Sequence, residues 1–211
     1  MIEELLEDFK KNSTNERAIF QRRICKTRYD IIGCVNPYLR AKAKSLIKSG
    51  EYIEILNTDI DLYEYVLLKG YIISYKNDID AMKKFVYKLD DWSLTDTCHL
   101  QKRFPEHLEA IYEWTKSKEE YVTRFGVISY MCVYLGKVSP ELDDDFIKRI
   151  YKINHHEYYV DMAIAWFIQR LWDVDVDKAK AMLDNKNINE FTRKKAIQKI
   201  KDSQRERKVR G

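Results

Sequence analysis

Apolar residues recur at intervals of three and four along nearly the whole chain, a pattern typical of amphipathic α-helices. Leu5, Leu6 and Phe9 mark a first helix. Polar residues at 13–16 offer caps for a second helix that runs to about Arg28. The same spacing predicts further helices at about 37–49, 51–57, 62–75, 78–89, 91–103, 105–115, 118–136, 143–154, 157–172, 176–185 and 189–208.

The connections between these segments are short and carry turn residues. A loop is predicted around 33–37, and Gly50 stands where a C-capping glycine belongs. No stretch alternates cleanly between apolar and polar residues, so no sheet is expected. Helices joined by short loops pack as antiparallel neighbours, and a row of such pairs forms either a bundle or a curved solenoid of the HEAT or armadillo kind. The pattern therefore predicts an all-α protein and leaves these two architectures open.

Composition narrows the protein class further. The 211 residues include 6 Gly and 3 Pro, whereas average usage gives about 15 and about 10. A β-sandwich or barrel needs more turn residues than this. Hydrophobic residues at 45% and aromatic residues at 13% are too many for a disordered chain. The length fits a single domain over residues 1–211, which we expect to be monomeric.

Charged residues make up 34% of the chain and interrupt every apolar run before it could span a membrane. The first eleven residues are acidic and amphipathic, which is not the pattern of a signal peptide. No CxxC pair occurs, so neither a zinc site nor a disulfide framework is expected from the cysteines. These cysteines are Cys25, Cys34, Cys98 and Cys132. We therefore expect a cytoplasmic protein without a bound metal or cofactor.

Charge is distributed unevenly. Residues 192–211 carry nine Lys or Arg and two acidic residues, or +7, while the whole chain carries +4, so residues 1–191 sum to −3. A basic C-terminal helix and tail on a slightly acidic body is typical of a protein that binds a polyanion. A solvated helical tail accounts for the charge equally well.

Four segments have the order and spacing found in one family, and together they cover the chain from about residue 15 to 205. They are IIGCVNPYLRAKAKSLIKSG at 31–50, LLKGYIISY at 67–75 with KLDDWSLTDTC at 88–98, WTKSKEEYVTRFGVISYM at 114–131, and EYYVDMAIAWFIQ at 157–169 with TRKKAIQKIKDSQR at 192–205. In these segments the chain resembles the bacterial DNA alkylation repair enzymes, the AlkD-like DNA glycosylases. The resemblance implies a right-handed superhelix of HEAT-like helix pairs, whose concave face holds double-stranded DNA containing alkylated bases. Residues 1–30 show no such match to the family's N-terminal helices.

The resemblance also implies which residues form the site. WSLTD places Trp92 and Asp96 four residues apart, as in the family's catalytic Trp-x-x-x-Asp motif. TRFG aligns Arg124 with the family's active-site arginine, and AIAW aligns Trp166 with its second tryptophan. On a helix, the i, i+4 spacing puts the indole and the carboxylate side by side on one face.

These residue types suit the cleavage of an N-glycosidic bond. Alkylation at N3 or N7 gives a purine a positive charge and makes it a good leaving group, while the deoxyribose gains oxocarbenium character. Asp96 would stabilise that cation and activate water. Trp92 and Trp166 would hold the cationic nucleotide through cation–π contacts, and Arg124 would bind a phosphate. Backbone phosphate contacts are expected from Arg40, Lys44, Lys48, Arg193, Lys194, Lys195, Lys199 and Lys201.

Each of these residues also has a structural explanation. Trp is buried on average, Asp often caps a helix, and Arg124 has Glu120 one turn away as an ion-pair partner. Two other functions stay open beside the glycosylase. One is a HEAT protein that binds damaged or branched DNA without cleaving it. The other is a helical scaffold that binds another protein through an apolar groove.

Overall fold

The structure, a computed structural model, describes residues 1–210, with the side chains of residues 1–206. These residues form thirteen α-helices and one 3-10 turn at Val86–Lys88, and they contain two isolated β-bridges but no strand. The all-α prediction is confirmed. The helices are α1 (Ile2–Lys11), α2 (Asn15–Ile24), α3 (Asn36–Ser49), α4 (Tyr52–Asn57), α5 (Tyr63–Lys76), α6 (Ile79–Phe85), α7 (Trp92–Thr97), α8 (Pro105–Trp114), α9 (Glu120–Val133), α10 (Pro140–Ile150), α11 (Tyr158–Trp172), α12 (Val176–Asp184) and α13 (Glu190–Arg210).

The contacts between Cα atoms divide the chain into two compact units. Unit 1 covers Met1–Gln101 and contains α1 to α7, and unit 2 begins at Lys102 and contains α8 to α13. Each unit is larger than a single helix pair and has buried apolar residues of its own. That the chain forms one domain over residues 1–211 stays a prediction.

Helix α5 is the centre of unit 1, with eleven of its fourteen residues buried. Its sequence is apolar on nearly every side, as expected for a helix surrounded by others, and α3, α6 and α7 pack against it. Gly70 of α5 permits a close approach, because a Cβ atom built there would lie 2.3 Å from the Cys98 Sγ. The absence of a side chain at Gly70 therefore lets the residue that follows α7 pack directly on α5.

Unit 2 is built around α9 and α11, which pack against each other and against α8, α12 and α13. The rings of Tyr130 and Phe146 stack with centroids 3.7 Å apart and planes within 4° of parallel. The Tyr130 hydroxyl donates to the buried carboxylate of Asp143 at 2.8 Å, and the Gly136 N–H donates to the same carboxylate at 3.0 Å. This network satisfies the polar atoms that the aromatic core would otherwise leave buried without partners.

Most predicted helices agree with the structure to within a few residues at each end. Gly50 follows α3 with φ +85°, so its predicted role as a C-capping glycine is confirmed. The start of α10 lies three residues before the predicted 143. Ser139 caps that helix by accepting the Leu142 N–H at 3.2 Å, and Pro140 occupies its first turn.

Two of the predicted helices run into segments that tertiary hydrogen bonds hold in other conformations. The helix at 91–103 ends at Thr97, because the next backbone groups bind elsewhere: the His99 carbonyl accepts the Ser74 hydroxyl at 2.6 Å. The second helix ends at Ile24 rather than near Arg28, and Cys25 is extended with φ −100° and ψ 131°. The residues after Ile24 bond to the segment before α7 instead of continuing the helix.

Candidate functional site

Helix α7 carries the predicted Trp-x-x-x-Asp pair. Trp92 is its first residue and Asp96 lies one turn later, and both side chains are half-buried. The Trp92 indole Nε1–H donates to the Ile24 carbonyl oxygen at 3.0 Å. The Thr95 hydroxyl lies 3.3 Å from Asp96 Oδ1 and donates to the Trp92 carbonyl at 2.8 Å. The structure thus places two groups on one short helix: an indole whose N–H is held by a hydrogen bond, and a partly exposed carboxylate.

Both ends of α7 are anchored in unit 1. At the start, the Asp91 carboxylate accepts the Ser93 N–H at 2.8 Å and caps the helix. At the end, Cys98 is fully buried against Gly70. Burial raises the pKa of the Cys98 thiol to about 12, so this group packs as a neutral side chain. Sequence reasoning missed the capping role of Asp91 and made it the first residue of the predicted helix at 91–103, although an Asp at the start of a helix is a capping signal.

Arg124 lies in α9 and is only 5% exposed. Its Nη1 donates to the Tyr159 carbonyl at 2.8 Å, and the guanidinium carbon lies 5.8 Å from the centre of the Tyr159 ring. Glu120, the suggested ion-pair partner, accepts the Tyr159 N–H at 2.8 Å. Both charged side chains therefore bind the first turn of α11, and Arg124 uses an N–H donor to hold α9 against α11.

Trp166 lies in α11 and is half-buried beside a cavity of about 610 Å³ within unit 2. The lining combines apolar, acidic and basic groups from α9, α11 with the residue after it, and α13: Met131, Cys132, Trp166, Gln169, Arg170, Asp173, Lys199, Asp202, Ser203 and Glu206. By contrast, Trp114 is 4% exposed and belongs to the core. The accessible position of Trp166 is compatible with contact to a ligand.

The predicted basic stripe of α3 lies on its exposed side, with Arg40, Lys44 and Lys48 each exposed. Arg40 Nε donates to the Tyr71 hydroxyl at 3.2 Å, and Lys44 Nζ lies 5.6 Å from the centre of the Tyr75 ring. Burial raises the pKa of Tyr71 to about 12 although the Arg40 hydrogen bond lowers it, so Tyr71 stays neutral. Neighbouring aromatic side chains on α5 thus support two of the three cations.

The basic residues of α13 differ in their surroundings. Arg193 donates to the carbonyls of Leu183 at 2.5 Å and Ile188 at 2.9 Å, so its guanidinium closes the turn between α12 and α13. Lys194 forms an ion pair with Glu190 at 2.5 Å. Lys195 Nζ lies 5.7 Å from the Phe191 ring centre, Lys199 lines the cavity beside Trp166, and Lys201 is exposed. The structure describes no side chain beyond residue 206, so Arg207, Lys208 and Arg210 are outside this comparison.

The structure thus brings the predicted site residues into two local groups. Trp92 and Asp96 share one helix of unit 1, and Arg124 and Trp166 lie on the packed helices α9 and α11 of unit 2. Within the residues that the structure describes, no group of three or more His, Cys, Asp or Glu could hold a metal ion. None of the described helices is long and apolar enough to cross a membrane.

An all-α fold of short helices, with a tryptophan and an aspartate one turn apart on an anchored helix, agrees with the class of helical-repeat proteins that the sequence motifs indicate. The family model of the DNA alkylation repair enzymes matches residues 5–200, and the chain belongs to this family. The resemblance and the HEAT-like fold class are confirmed, and the substrate of the family is DNA. The match begins at residue 5 rather than near 15, so it includes most of the segment that the motifs left unaligned. No curated protein matches the chain significantly.

Proposed function

We propose that the protein is a DNA glycosylase that removes cationic N3- or N7-alkylated purines from duplex DNA by hydrolysing the N-glycosidic bond. Membership in the DNA alkylation repair enzyme family supports the general function. The observation that carries the specific reaction is the placement of Trp92 and Asp96 one turn apart on the doubly anchored α7, with the carboxylate partly exposed.

Asp96 supplies the charge that this reaction needs. As the alkylated base departs, positive charge moves from the purine to the deoxyribose ring. A carboxylate held beside C1′ stabilises that charge more in the transition state than in the ground state, which lowers the barrier. The same carboxylate orients a water molecule and accepts its proton as the water oxygen bonds to C1′.

The two tryptophans and Arg124 bind the damaged nucleotide. Each indole offers a flat π face to a cationic base or sugar, a contact of about 0.5–2 kcal/mol. Such contacts favour a charged lesion over a neutral base without a closely fitting pocket. The guanidinium of Arg124 is planar and permanently charged, which suits a phosphate near the lesion.

The basic side chains bind the DNA backbone without reading its sequence. On α3 these are Arg40, Lys44 and Lys48, all exposed. On α13 the exposed Lys201 is the best placed of the predicted contacts, whereas Arg193 is bound to backbone carbonyls. Contacts of this kind position an enzyme that searches for damage along undamaged DNA.

The direct test is release of free base from a duplex oligonucleotide that contains 7-methylguanine. Mass spectrometry of the released base and alkaline cleavage of the abasic strand should both show turnover well above spontaneous depurination. An identical duplex without the methyl group is the substrate control. If the protein binds both duplexes and releases no base above the spontaneous rate, the non-catalytic DNA-binding function replaces the glycosylase.

A further inference from the structure

The last residue of α2, Ile24, and the non-helical residues 25–29 that follow it are together called the strap, and they lie against residues 88–93, which include the start of α7. The Trp92 indole N–H donates to the carbonyl of Ile24 at 3.0 Å. The N–H of Lys26 donates to Asp91 Oδ2 at 2.8 Å. The two bonds join residues that are 68 and 65 positions apart in the sequence. The strap is therefore a tertiary support for the start of α7.

Asp91 binds the strap and α7 at once. Its side chain is fully buried. While Oδ2 accepts the Lys26 N–H, Oδ1 accepts the Ser93 N–H at 2.8 Å and the Ser93 hydroxyl at 2.5 Å. Both oxygens must be acceptors, because each faces a backbone N–H. A carboxylate meets this need, whereas a carboxamide would turn an NH₂ group toward one of the two donors.

The Ser93 hydroxyl connects this cap to the centre of unit 1. It lies 2.6 Å from the Tyr63 hydroxyl at the start of α5 and 3.3 Å from the Cys25 Sγ in the strap. Burial raises the pKa of Cys25, so the thiol stays neutral in this contact. The capped end of α7 is thus fixed to two other parts of the unit.

Asp90, the neighbouring residue, binds the strap in a different way. Its carboxylate accepts the Thr27 hydroxyl at 2.6 Å and the Arg28 N–H at 2.9 Å. Among the described residues, its hydrogen bonds go to the strap and not to α7. Both Asp90 and Asp91 therefore bind the strap. Of these two residues, Asp91 also caps α7, the helix that carries Trp92 and Asp96.

A helix of six residues is too short to be stable alone, so the direction of α7 depends on the contacts at its ends. We propose that Asp91 is a positioning residue, which fixes the orientation of Trp92 and Asp96 by binding the strap and capping α7. This inference rests on the proposed glycosylase function. Because its side chain is fully buried, Asp91 touches neither DNA nor the attacking water and acts through Trp92 and Asp96.

The test compares Asp91→Ala with Asp90→Ala in two measurements on the full chain. The first follows the four tryptophan indole N–H signals in a ¹⁵N NMR spectrum, in which Trp92→Phe identifies the Trp92 signal. Asp91→Ala should shift the Trp92 signal and leave that of the core residue Trp114 in place. The second is single-turnover release of 7-methylguanine at saturating enzyme, together with the affinity for plain duplex.

We expect Asp91→Ala to lower the single-turnover rate about 10- to 100-fold, the size of effect that a misplaced reacting group produces. The duplex affinity of Asp91→Ala should stay within about twofold, since the Asp91 carboxylate is fully buried and contacts no phosphate in the proposal. Asp90→Ala removes bonds to the strap but leaves the cap of α7, so it should lower the rate less, and shift the Trp92 signal less, than Asp91→Ala does. If Asp91→Ala fails to fold, Asp91→Asn is used instead. It keeps the acceptor toward Ser93 and loses the one toward Lys26. We then expect a shifted Trp92 signal and a loss of rate smaller than that expected for Asp91→Ala.

The outcomes separate the two proposals. A lower rate without a shifted Trp92 signal, or a shifted signal with an unchanged rate, overturns the positioning role of Asp91. An equal loss of rate in Asp90→Ala overturns it as well. If the unmutated protein releases no base, the proposed function fails on its own. The NMR signal then still decides whether Asp91 orients Trp92.

Discussion

The carboxylate of Glu64 accepts the backbone N–H of Gly33 at 2.7 Å, inside unit 1. The same carboxylate oxygen lies 3.2 Å from the N–H groups of Ile32 and Cys34. Glu64 is fully buried on α5, so one side chain gathers three consecutive backbone donors from the loop that precedes α3. The start of the basic helix α3 is thereby fixed to the central helix of the unit.

Replacing Glu64 by glutamine should lower the free energy of unfolding by about 2–3 kcal/mol, because hydrogen bonds to a charged acceptor are lost and an amide N–H₂ group is introduced among donors. Urea unfolding followed by circular dichroism measures the change. Glu54→Gln is the matched control, since Glu54 is exposed and its replacement should change the stability by less than about 0.5 kcal/mol. Equal stabilities of the two variants would contradict the role of Glu64.

Gly33→Ala should destabilise the protein more than Gly50→Ala, although both glycines have positive φ angles, of +96° and +85°. A Cβ atom at Gly33 would lie 2.3 Å from the Thr14 carbonyl oxygen, whereas one at Gly50 would meet nothing within 4 Å. We expect a loss of about 1–2 kcal/mol at Gly50 from backbone strain alone, and about 1–3 kcal/mol more at Gly33 from the clash. Thermal unfolding of both variants measures this difference, and a smaller loss at Gly33 would rule out the close contact with Thr14.

Asp96→Asn should lower single-turnover release of 7-methylguanine by about 10²–10³-fold, because the charge that stabilises the oxocarbenium ion is removed. The affinity for duplex DNA should stay equal or rise slightly, since a negative charge near the phosphates is lost. Asp80→Asn is the control, because Asp80 is exposed on α6 outside the site. Release at the unmutated rate by Asp96→Asn would exclude the catalytic role.

Trp166→Ala should lower the rate on cationic lesions more than it lowers binding of undamaged duplex, because an indole next to developing positive charge acts mainly in the transition state. Its stability loss should be well below that of Trp114→Ala, for which a cost of about 3–5 kcal/mol is expected in the core. Rates, duplex affinities and thermal unfolding of both variants are compared. A severe loss of stability without a selective kinetic effect would make Trp166 a core residue.

Affinity for undamaged duplex should fall steeply with salt, because each neutralised phosphate releases counterions. Lys44→Gln and Lys48→Gln should each reduce the slope of log affinity against log salt by about 1 and weaken binding to all sequences alike. Lys10→Gln is the control, since Lys10 is paired with Glu7 on α1. Removal of residues 205–211 should also flatten the slope. An unchanged slope in the lysine variants would show that α3 has a solvated face without DNA contacts.

The sequence predicted the helices well because their apolar residues follow a period of three and four with little interruption. It overextended the helices at Arg28 and beyond Thr97, where tertiary hydrogen bonds compete with the helical ones. The partners there, Asp91 and Ser74, come from distant parts of the chain. No local pattern reveals such pairings.

The candidate site was predictable to a similar degree. Motif resemblance selected the candidate residues, whose roles stay predictions, and helical spacing placed Trp92 and Asp96 on one turn of a helix, as the structure has them. The sequence could not show that the Arg193 side chain binds backbone carbonyls while Lys201 is exposed, since both are basic residues of the same helix. Burial and partner choice depend on packing between helices, which residue type and spacing do not specify.

The bonds between the strap and the start of α7 have a consequence for where the chain can tolerate an insertion. They fix the two segments directly, so the length of chain between them does not set their alignment. The entropy of closing a flexible loop grows only with the logarithm of its length, by about 0.6 kcal/mol for each doubling. The open space around Gly50 therefore makes the turn after α3 a place where this chain can be lengthened while Trp92 and Asp96 keep their arrangement.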